Sequence, residues 1–396
     1  MSEPVIFHID VNSAFLSWTA LTRLEQGDPV DLRTIPAIVG GDTSTRHGVV
    51  LAKSIPAKAY GITTGEPVVN ALRKCPHLVM APPDHTMYRL KSRLLMEHLS
   101  DICPDIEQVS IDECYMDYAP IAAGYSSPEE AAAFIRHSVF EKFKFTVNVG
   151  ISDRKVLAKM ASDFEKPDKT HTLYQREIAQ KMWPLPVSAL FSCGHSSAET
   201  LRKLGILTIG DLAHTDPAIL EAHLKSHGRC LWQYANGIDD STVVLVPSRA
   251  KGIGNSTTLS SDALTREEAC KVLLSLCESV GRRLRASHQL AGQICTEIRY
   301  SDFRNVSHQM PLDTPTASVN LLYEDACALF DELWDSSPIR LLGVRTSKLV
   351  PEDEPIQLSL FDFPAPRSEK QQKLDAALDN IRAKYGKDAI KRGRFL

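Results

Sequence analysis

Apolar residues alternate or recur at helical spacing in blocks that divide the chain. Val5 to Asp10 reads as a strand, and Ala14, Phe15, Trp18, Ala20 and Leu21 follow at helical spacing. Asp10 therefore sits where a strand hands over to a helix, with Asn12 or Ser13 as the expected N-cap. Pro29 to Pro83 is rich in Gly, Pro and Thr, carries short β-like runs such as Gly48 to Ala52, and reads as a small subdomain. Helical spacing returns from Met87 to Leu99, and a strand pair is expected around Val109 to Tyr118. Ser127-Pro-Glu-Glu130 is a capping box that opens a helix running to Phe143. Thr146 to Ile151 reads as a further strand and Arg154 to Phe164 as a further helix. This order predicts a split βαβ antiparallel sheet with helices on one face.

The texture changes near Leu173, where short apolar stretches are broken by Gly194, Gly205, Gly210 and Gly237, as in a compact helical module. Val246 to Gly252 reads as a tether. Beyond it, the capping box Thr265-Arg-Glu-Glu268 precedes apolar positions at Ala269, Val272, Leu273, Leu276, Val280 and Leu284. Strands around Ile294 to Tyr300 and Arg340 to Lys348 flank a helix near Val319 to Leu333, giving a second α+β unit. Pro351 to Pro366 is proline-rich and acidic and is expected to be extended and exposed. A basic amphipathic stretch, Lys370 to Leu396, follows it.

With 396 residues, 43% hydrophobic and 24% charged, the chain has the make-up of a soluble α+β protein of several domains. No apolar run approaches the roughly 18 to 20 residues that span a bilayer. Met1-Ser-Glu-Pro lacks the basic start and apolar core of a secretory signal, so a cytoplasmic address is expected. Nine cysteines without a C-x-x-C pair argue against a disulfide framework and a zinc knuckle. A net charge of −4 gives no whole-chain sign of a nucleic-acid partner, although a basic groove can be balanced by acidic outer faces.

Against that background, Val109-Ser-Ile-Asp-Glu-Cys-Tyr-Met-Asp-Tyr118 is unusual, because Asp112 and Glu113 are neighbouring anions in a strand-like run. In an extended strand they point to opposite faces, so one is forced toward the sheet unless a turn re-aims it. A buried carboxylate must be protonated or matched by a cation. The dipeptide alone also fits a salt-bridged hairpin end. Asp10 adds a third acid, since in a split βαβ sheet the first strand neighbours the central hairpin. Oxygen-only ligation by three carboxylates suits Mg²⁺. Two such ions about 3.5 to 4 Å apart would clamp the attacking and leaving oxygens of a phosphoryl displacement.

Asp10-Val-Asn-Ser-Ala-Phe15 together with Ser110-Ile-Asp-Glu113 resembles the two metal-binding motifs of the Y-family (translesion) DNA polymerases. The resemblance extends through Gly150-Ile-Ser152, Lys166-Pro167, the helical module, Arg299-Tyr-Ser-Asp-Phe303 and the tail. It implies four subdomains: palm at 1–12 and 84–172, small fingers at 13–83, a helical thumb at 173–240 and an α+β little finger at 241–346. A tail follows over 347–396.

The resemblance further implies that Asp10, Asp112, Glu113 and the backbone carbonyl of Val11 hold two Mg²⁺ ions. Phe15 takes the place of the steric gate, whose ring collides with a ribose 2′-hydroxyl. Ala52-Lys-Ser-Ile-Pro-Ala-Lys58 resembles the triphosphate-binding fingers motif, with Ile55 where Tyr is common and Lys58 where Arg is. Lys58, aided by Lys53 or Ser54, and Lys166 would contact the dNTP phosphates. Leu204 to Leu212, preceded by Cys193-Gly194-His195, resembles a helix-hairpin-helix, in which Gly194 and Gly205 let backbone amides meet a DNA phosphate. Ser192 and His195 stand where that motif usually has Gly and Lys. Arg299 and Arg304 would track the primer-template backbone.

Gln357-Leu-Ser-Leu-Phe361 resembles the peptide by which bacterial polymerases bind the β sliding clamp, through Gln357, Leu358, Leu360 and Phe361. These features imply a monomeric DNA polymerase that adds dNTPs to a primer, tolerates damaged templates and shows no exonuclease signature. A clamp-tethered DNA-binding protein without catalysis, or another Mg²⁺ phosphoryl transferase on the same palm, are the alternative readings.

Overall fold

The computed structural model of the chain describes residues 4–41, 46, 48–353, 369–386 and 389–390. It divides into two compact units, the first formed by Met1–Gly41 with Gly48–Pro247 and the second by Asp42–His47 with Ser248–Leu396. Gln357, Leu358, Leu360 and Phe361 lie outside the described residues. No described helix is long and apolar enough to cross a membrane.

The first unit is organised on a five-stranded sheet whose spatial order is Ile106–Gln108, Glu113–Asp117, Ile6–Val11, Val147–Ser152 and Thr170–Thr172. The expected antiparallel sheet is in fact mixed, since the last pair runs parallel. Ile6–Val11 is central and buried along its whole length, antiparallel to both neighbours. Period-2 alternation sends Phe7, Ile9 and Val11 into the main core, beside Cys114, Met116, Val147, Val149 and Ile151. Residues from helices Ala14–Glu25, His85–Ile102 and Pro128–Phe143 complete that core.

The opposite face is covered too, which corrects the expectation of helices on one face. Ala158 of helix Lys155–Ser162 packs against Ile6 and Tyr115, residues of the alternate parity. That second layer lies over the face carrying Asp10.

Local signals account for most helix starts. Asp84 accepts from the amides of Thr86 and Met87, and Ser127 accepts from Glu130 N with Pro128 at the first helical position. The first helix departs from expectation. Ser13 is left-handed, with φ 49°, and makes no side-chain cap. Asn12 instead spans the sheet, donating to Asn148 Oδ1 (3.1 Å) and accepting from the amide of Asp168 (2.9 Å).

Ala37–Gly40, Val50–Lys53 and Val79–Ala81 form a small three-stranded sheet, and Ile38, Val50, Ala57, Val68 and Ala71 make a separate core there. A helical core follows, built from residues between Val156 and Ala235. It begins inside helix Lys155–Ser162, so that helix packs on both the sheet and the helical module.

The second unit has a four-stranded antiparallel sheet in the order Asn305–Thr316, Gln289–Tyr300, Ile339–Pro351 and Gly252–Ala263. Helices Arg266–Ala286 and Val319–Leu333 share its core. The capping box at Thr265 is complete, with Glu268 reaching back to the Thr265 amide. The stretch read as a tether is followed directly by strand Gly252–Ala263, which the sequence pattern did not announce.

Candidate active site

Register brings the acids together. Asp10 is the direct partner of Glu113 across one ladder and of Asn148 across the other. Directly opposed residues in neighbouring strands project from the same face, so both carboxylates leave the sheet on the side of helix Lys155–Ser162. Asp112 precedes the strand in a bend, and its carbonyl accepts from Val11 N at 3.1 Å, continuing the ladder by one bond. Ser110 Oγ donates to Asp112 Oδ1 (2.7 Å) and accepts from the amide of Glu113 (3.1 Å). The bend thus frees Asp112 from strict strand alternation and fixes its side chain locally.

Two lysines complete the electrostatics. Lys166 is ion-paired with Asp10, and Lys159 Nζ lies 2.5 Å from Glu113 Oε1. Asp163 touches both ammonium groups, at 3.4 Å from Lys159 and 2.8 Å from Lys166. Burial pushes the Asp10 carboxyl up to about 6 even though both lysines pull it down. His8, two residues earlier on the same face, is held well below the ordinary histidine range, first by burial and then by those lysines. Its Nδ1 is hydrogen-bonded to Ser162 Oγ at 2.8 Å.

The donor set is all oxygen and strongly demands positive charge, which fits a hard divalent cation. Among the described residues, no three His, Cys, Asp or Glu side chains are already gathered as a metal cage. Asp10 and Glu113 are instead each held by a lysine. The sequence pattern had offered Lys166 but not Lys159 or Asp163. Their signal was the i, i+4 and i+3 spacing of Lys159, Asp163 and Lys166, which looks like a solvated helical edge until Glu113 is placed beside it.

Phe15 occupies the first turn of helix Ala14–Glu25 and is half-buried. Lys58 is exposed in the last turn of helix Ile55–Ala59, and Lys53 is held below the usual lysine range by burial and by the charge of Lys58. The Ser54 hydroxyl is buried and fully committed. It caps helix Ile55–Ala59 through Ala57 N (3.1 Å), accepts from Ala37 N (3.0 Å) and donates to Ile35 O (2.7 Å). Within the chain Ser54 thus serves as a structural cap, and its one hydroxyl donor is taken by Ile35 O.

In the helical module, Gly194 is the N-cap of helix His195–Lys203, and Gly205 ends the turn beyond it with φ +80°. The next helix, Ile209–His214, has a complete capping box, with Asp211 accepting from the amides of Leu207 (3.0 Å) and Thr208 (2.8 Å). Those two loop amides are thereby occupied. In the second unit, Arg299 donates to Asn305 Oδ1 at 2.7 Å, while Arg304 lies over the Tyr300 ring (4.3 Å) and pairs with Asp335.

Residues 9–163 match the model of the impB/mucB/samB family and residues 250–360 match that family's C-terminal domain. The chain belongs to the impB/mucB/samB family. A relative from Clostridium acetobutylicum named DNA polymerase IV is 48% identical over 394 residues, covering 99% of this chain and 98% of its own. DNA polymerase IV 1 of Bacillus subtilis is 36% identical over 397 residues, covering 99% and 93%. Among solved structures, a Y-family DNA polymerase chimera, Dbh-Dpo4(243-245)-Dbh, aligns with TM-score 0.74 and 21% identity over 88% of this chain and 99% of that one. The last likeness speaks for the fold, and the impB/mucB/samB match spans both units.

Proposed function

We propose that this chain is a template-directed DNA polymerase of the translesion type, extending a primer 3′ end with deoxynucleotides. The observation that carries this reading is the cross-strand pairing of Asp10 with Glu113 beside the Asp112 bend, in a chain whose full-length relatives are named DNA polymerase IV. Retention of all three acids speaks against a binding protein that has lost catalysis.

Asp10, Asp112, Glu113 and the Val11 carbonyl are the groups to hold two Mg²⁺ ions. Those ions, when bound, supply the positive charge that acidifies the primer hydroxyl and offsets the triphosphate. The chain's own residues do the positioning. A central buried strand sets the separation of Asp10 and Glu113. Lys166 and Lys58 offer ammonium groups to phosphate oxygens, as point charges without the bidentate fork of arginine. Phe15 presents a flat surface under the sugar. Gly194 and Gly205 in the thumb, and Arg299 and Arg304 in the little finger, meet the primer-template backbone without reading bases. The 357–361 peptide docks on a β sliding clamp, and the polymerase works as a monomer in the cytoplasm.

The test is Asp112→Ala. Mg²⁺-dependent extension of a primed template should fall by at least about a thousandfold, on the scale of removing a charge-stabilising catalytic group, while affinity for the same primed DNA stays within about twofold because backbone contacts dominate binding. Wild-type extension by this variant would overturn the site.

A further inference from the structure

The two lysines at the carboxylates pose a problem of competition. Cations that occupy Asp10 and Glu113 claim the same oxygens that Lys166 and Lys159 now hold. The ammonium groups are substantially sheltered, with side-chain exposures of 35% and 12%, so neither can be left without an anion at small cost. One carboxylate already reaches both: Asp163 places Oδ2 3.4 Å from Lys159 Nζ and Oδ1 2.8 Å from Lys166 Nζ. Its own side chain is 46% exposed, so it can turn toward either lysine without opening the core.

We propose that Asp163 is a positioning residue that takes over the ammonium groups of Lys159 and Lys166 when divalent cations claim Glu113 and Asp10. This rests on the reading of Asp10 and Glu113 as metal carboxylates. The arrangement has a covalent logic as well. Asp163 lies four residues after Lys159 and three before Lys166. Lys159 belongs to helix Lys155–Ser162, which Asp163 caps at its C-terminal end, so the receiving anion is tethered to the same short segment as both cations. The hand-over requires side-chain rotations only. It would leave Lys166 free to lean toward a triphosphate while Lys159 stays paired, because the two Asp163 oxygens serve the two lysines separately.

The experiment is Mn²⁺ binding to the full chain without DNA or nucleotide, read from the electron paramagnetic resonance of free Mn²⁺. Asp163→Asn should weaken Mn²⁺ binding by roughly five- to tenfold, on the scale of a single charge pair near the surface. A carboxylate acting only through its own charge on the cations would give the same loss in any background. The Asp163→Asn effect is therefore measured again in a Lys159→Met/Lys166→Met background, where it should shrink to less than about twofold, as expected for groups coupled through a shared partner. Asp163→Glu, which keeps an acceptor, should restore Mn²⁺ binding. No effect of Asp163→Asn, or an equal effect in both backgrounds, overturns the proposal. Asp10→Asn is the reference. If it binds Mn²⁺ like the wild type, the metal-site reading itself fails, whatever Asp163 does.

Discussion

The ring of Phe15 lies flat against that of Tyr88, with centroids 4.4 Å apart and planes 9° from parallel. Tyr88 is fully buried and its hydroxyl is bonded to Thr19 Oγ1 at 2.8 Å, so the surface that Phe15 rests on is held by both packing and a hydrogen bond. His85 meets Phe15 edge-on and Trp18 lies tilted beside it. A half-exposed ring pinned in this way keeps one face and edge available at a fixed height, which is what exclusion of a 2′-hydroxyl by shape requires. Phe15→Ala should raise ribonucleotide incorporation relative to deoxynucleotide by at least about tenfold, since a removed clash acts on one substrate only. Single-nucleotide primer extension with paired dNTP and rNTP substrates measures this ratio. An unchanged ratio would remove Phe15 from the sugar site.

Ser54 separates a structural role from a chemical one. Its hydroxyl makes three bonds inside the small sheet subdomain and caps helix Ile55–Ala59, which carries Lys58. Ser54→Ala should cost about 1 to 2 kcal/mol in urea denaturation, the scale of a lost cap plus an unsatisfied buried amide. The KM for dNTP should stay within about twofold, because no donor is left over for phosphate. A tenfold rise in KM at unchanged stability would mean that the hydroxyl reaches the nucleotide after all.

Several of these relationships were legible in the residues and others were not, for physical reasons. The capping box at Thr265 and the N-cap at Ser127 are local, so the sequence carries them, although Glu130 reaches back to the Ser126 amide rather than to that of Ser127 and leaves the expected box there incomplete. The strand with Asp10 announces itself because a central strand is buried on both faces, and four of the six positions of Ile6–Val11 are apolar, with only His8 and Asp10 interrupting the run. Gly252–Ala263 and Asn305–Thr316 escaped notice because they are the two edges of the second sheet. An edge strand pairs on one side only and tolerates a polar composition, even Pro311. Ser54 was offered as a phosphate ligand through the resemblance of Ala52–Lys58 to a fingers motif, and only tertiary structure reveals its bonds to Ile35 and Ala37. Asn12 was misread because its partners, Asn148 and Asp168, are distant in sequence.

Gly150 shows how closely the lysine-bearing helix is laid on the sheet. It lies in strand Val147–Ser152, paired with His8, and its φ is ordinary, so backbone freedom does not explain it. Space does. A Cβ at this position would collide with the carbonyl oxygen of Ala158 and lie 2.5 Å from the amide nitrogen of Ser162, both backbone atoms of helix Lys155–Ser162. Neither can rotate away as a side chain would, so the helix would have to lift off the strand. That helix carries Lys159 to Glu113, and its Ser162 is bonded to His8, so a shift would disturb the carboxylate face and the core together. Gly150→Ala should therefore destabilise the first unit by about 3 kcal/mol or more, at the upper end for overpacked sites. A drop in Tm of at least about 5 °C would report it, with extension activity falling in parallel. Gly150→Ala protein with an unaltered Tm and full activity would show that the helix can back away freely, and that the close approach does not set the position of Lys159.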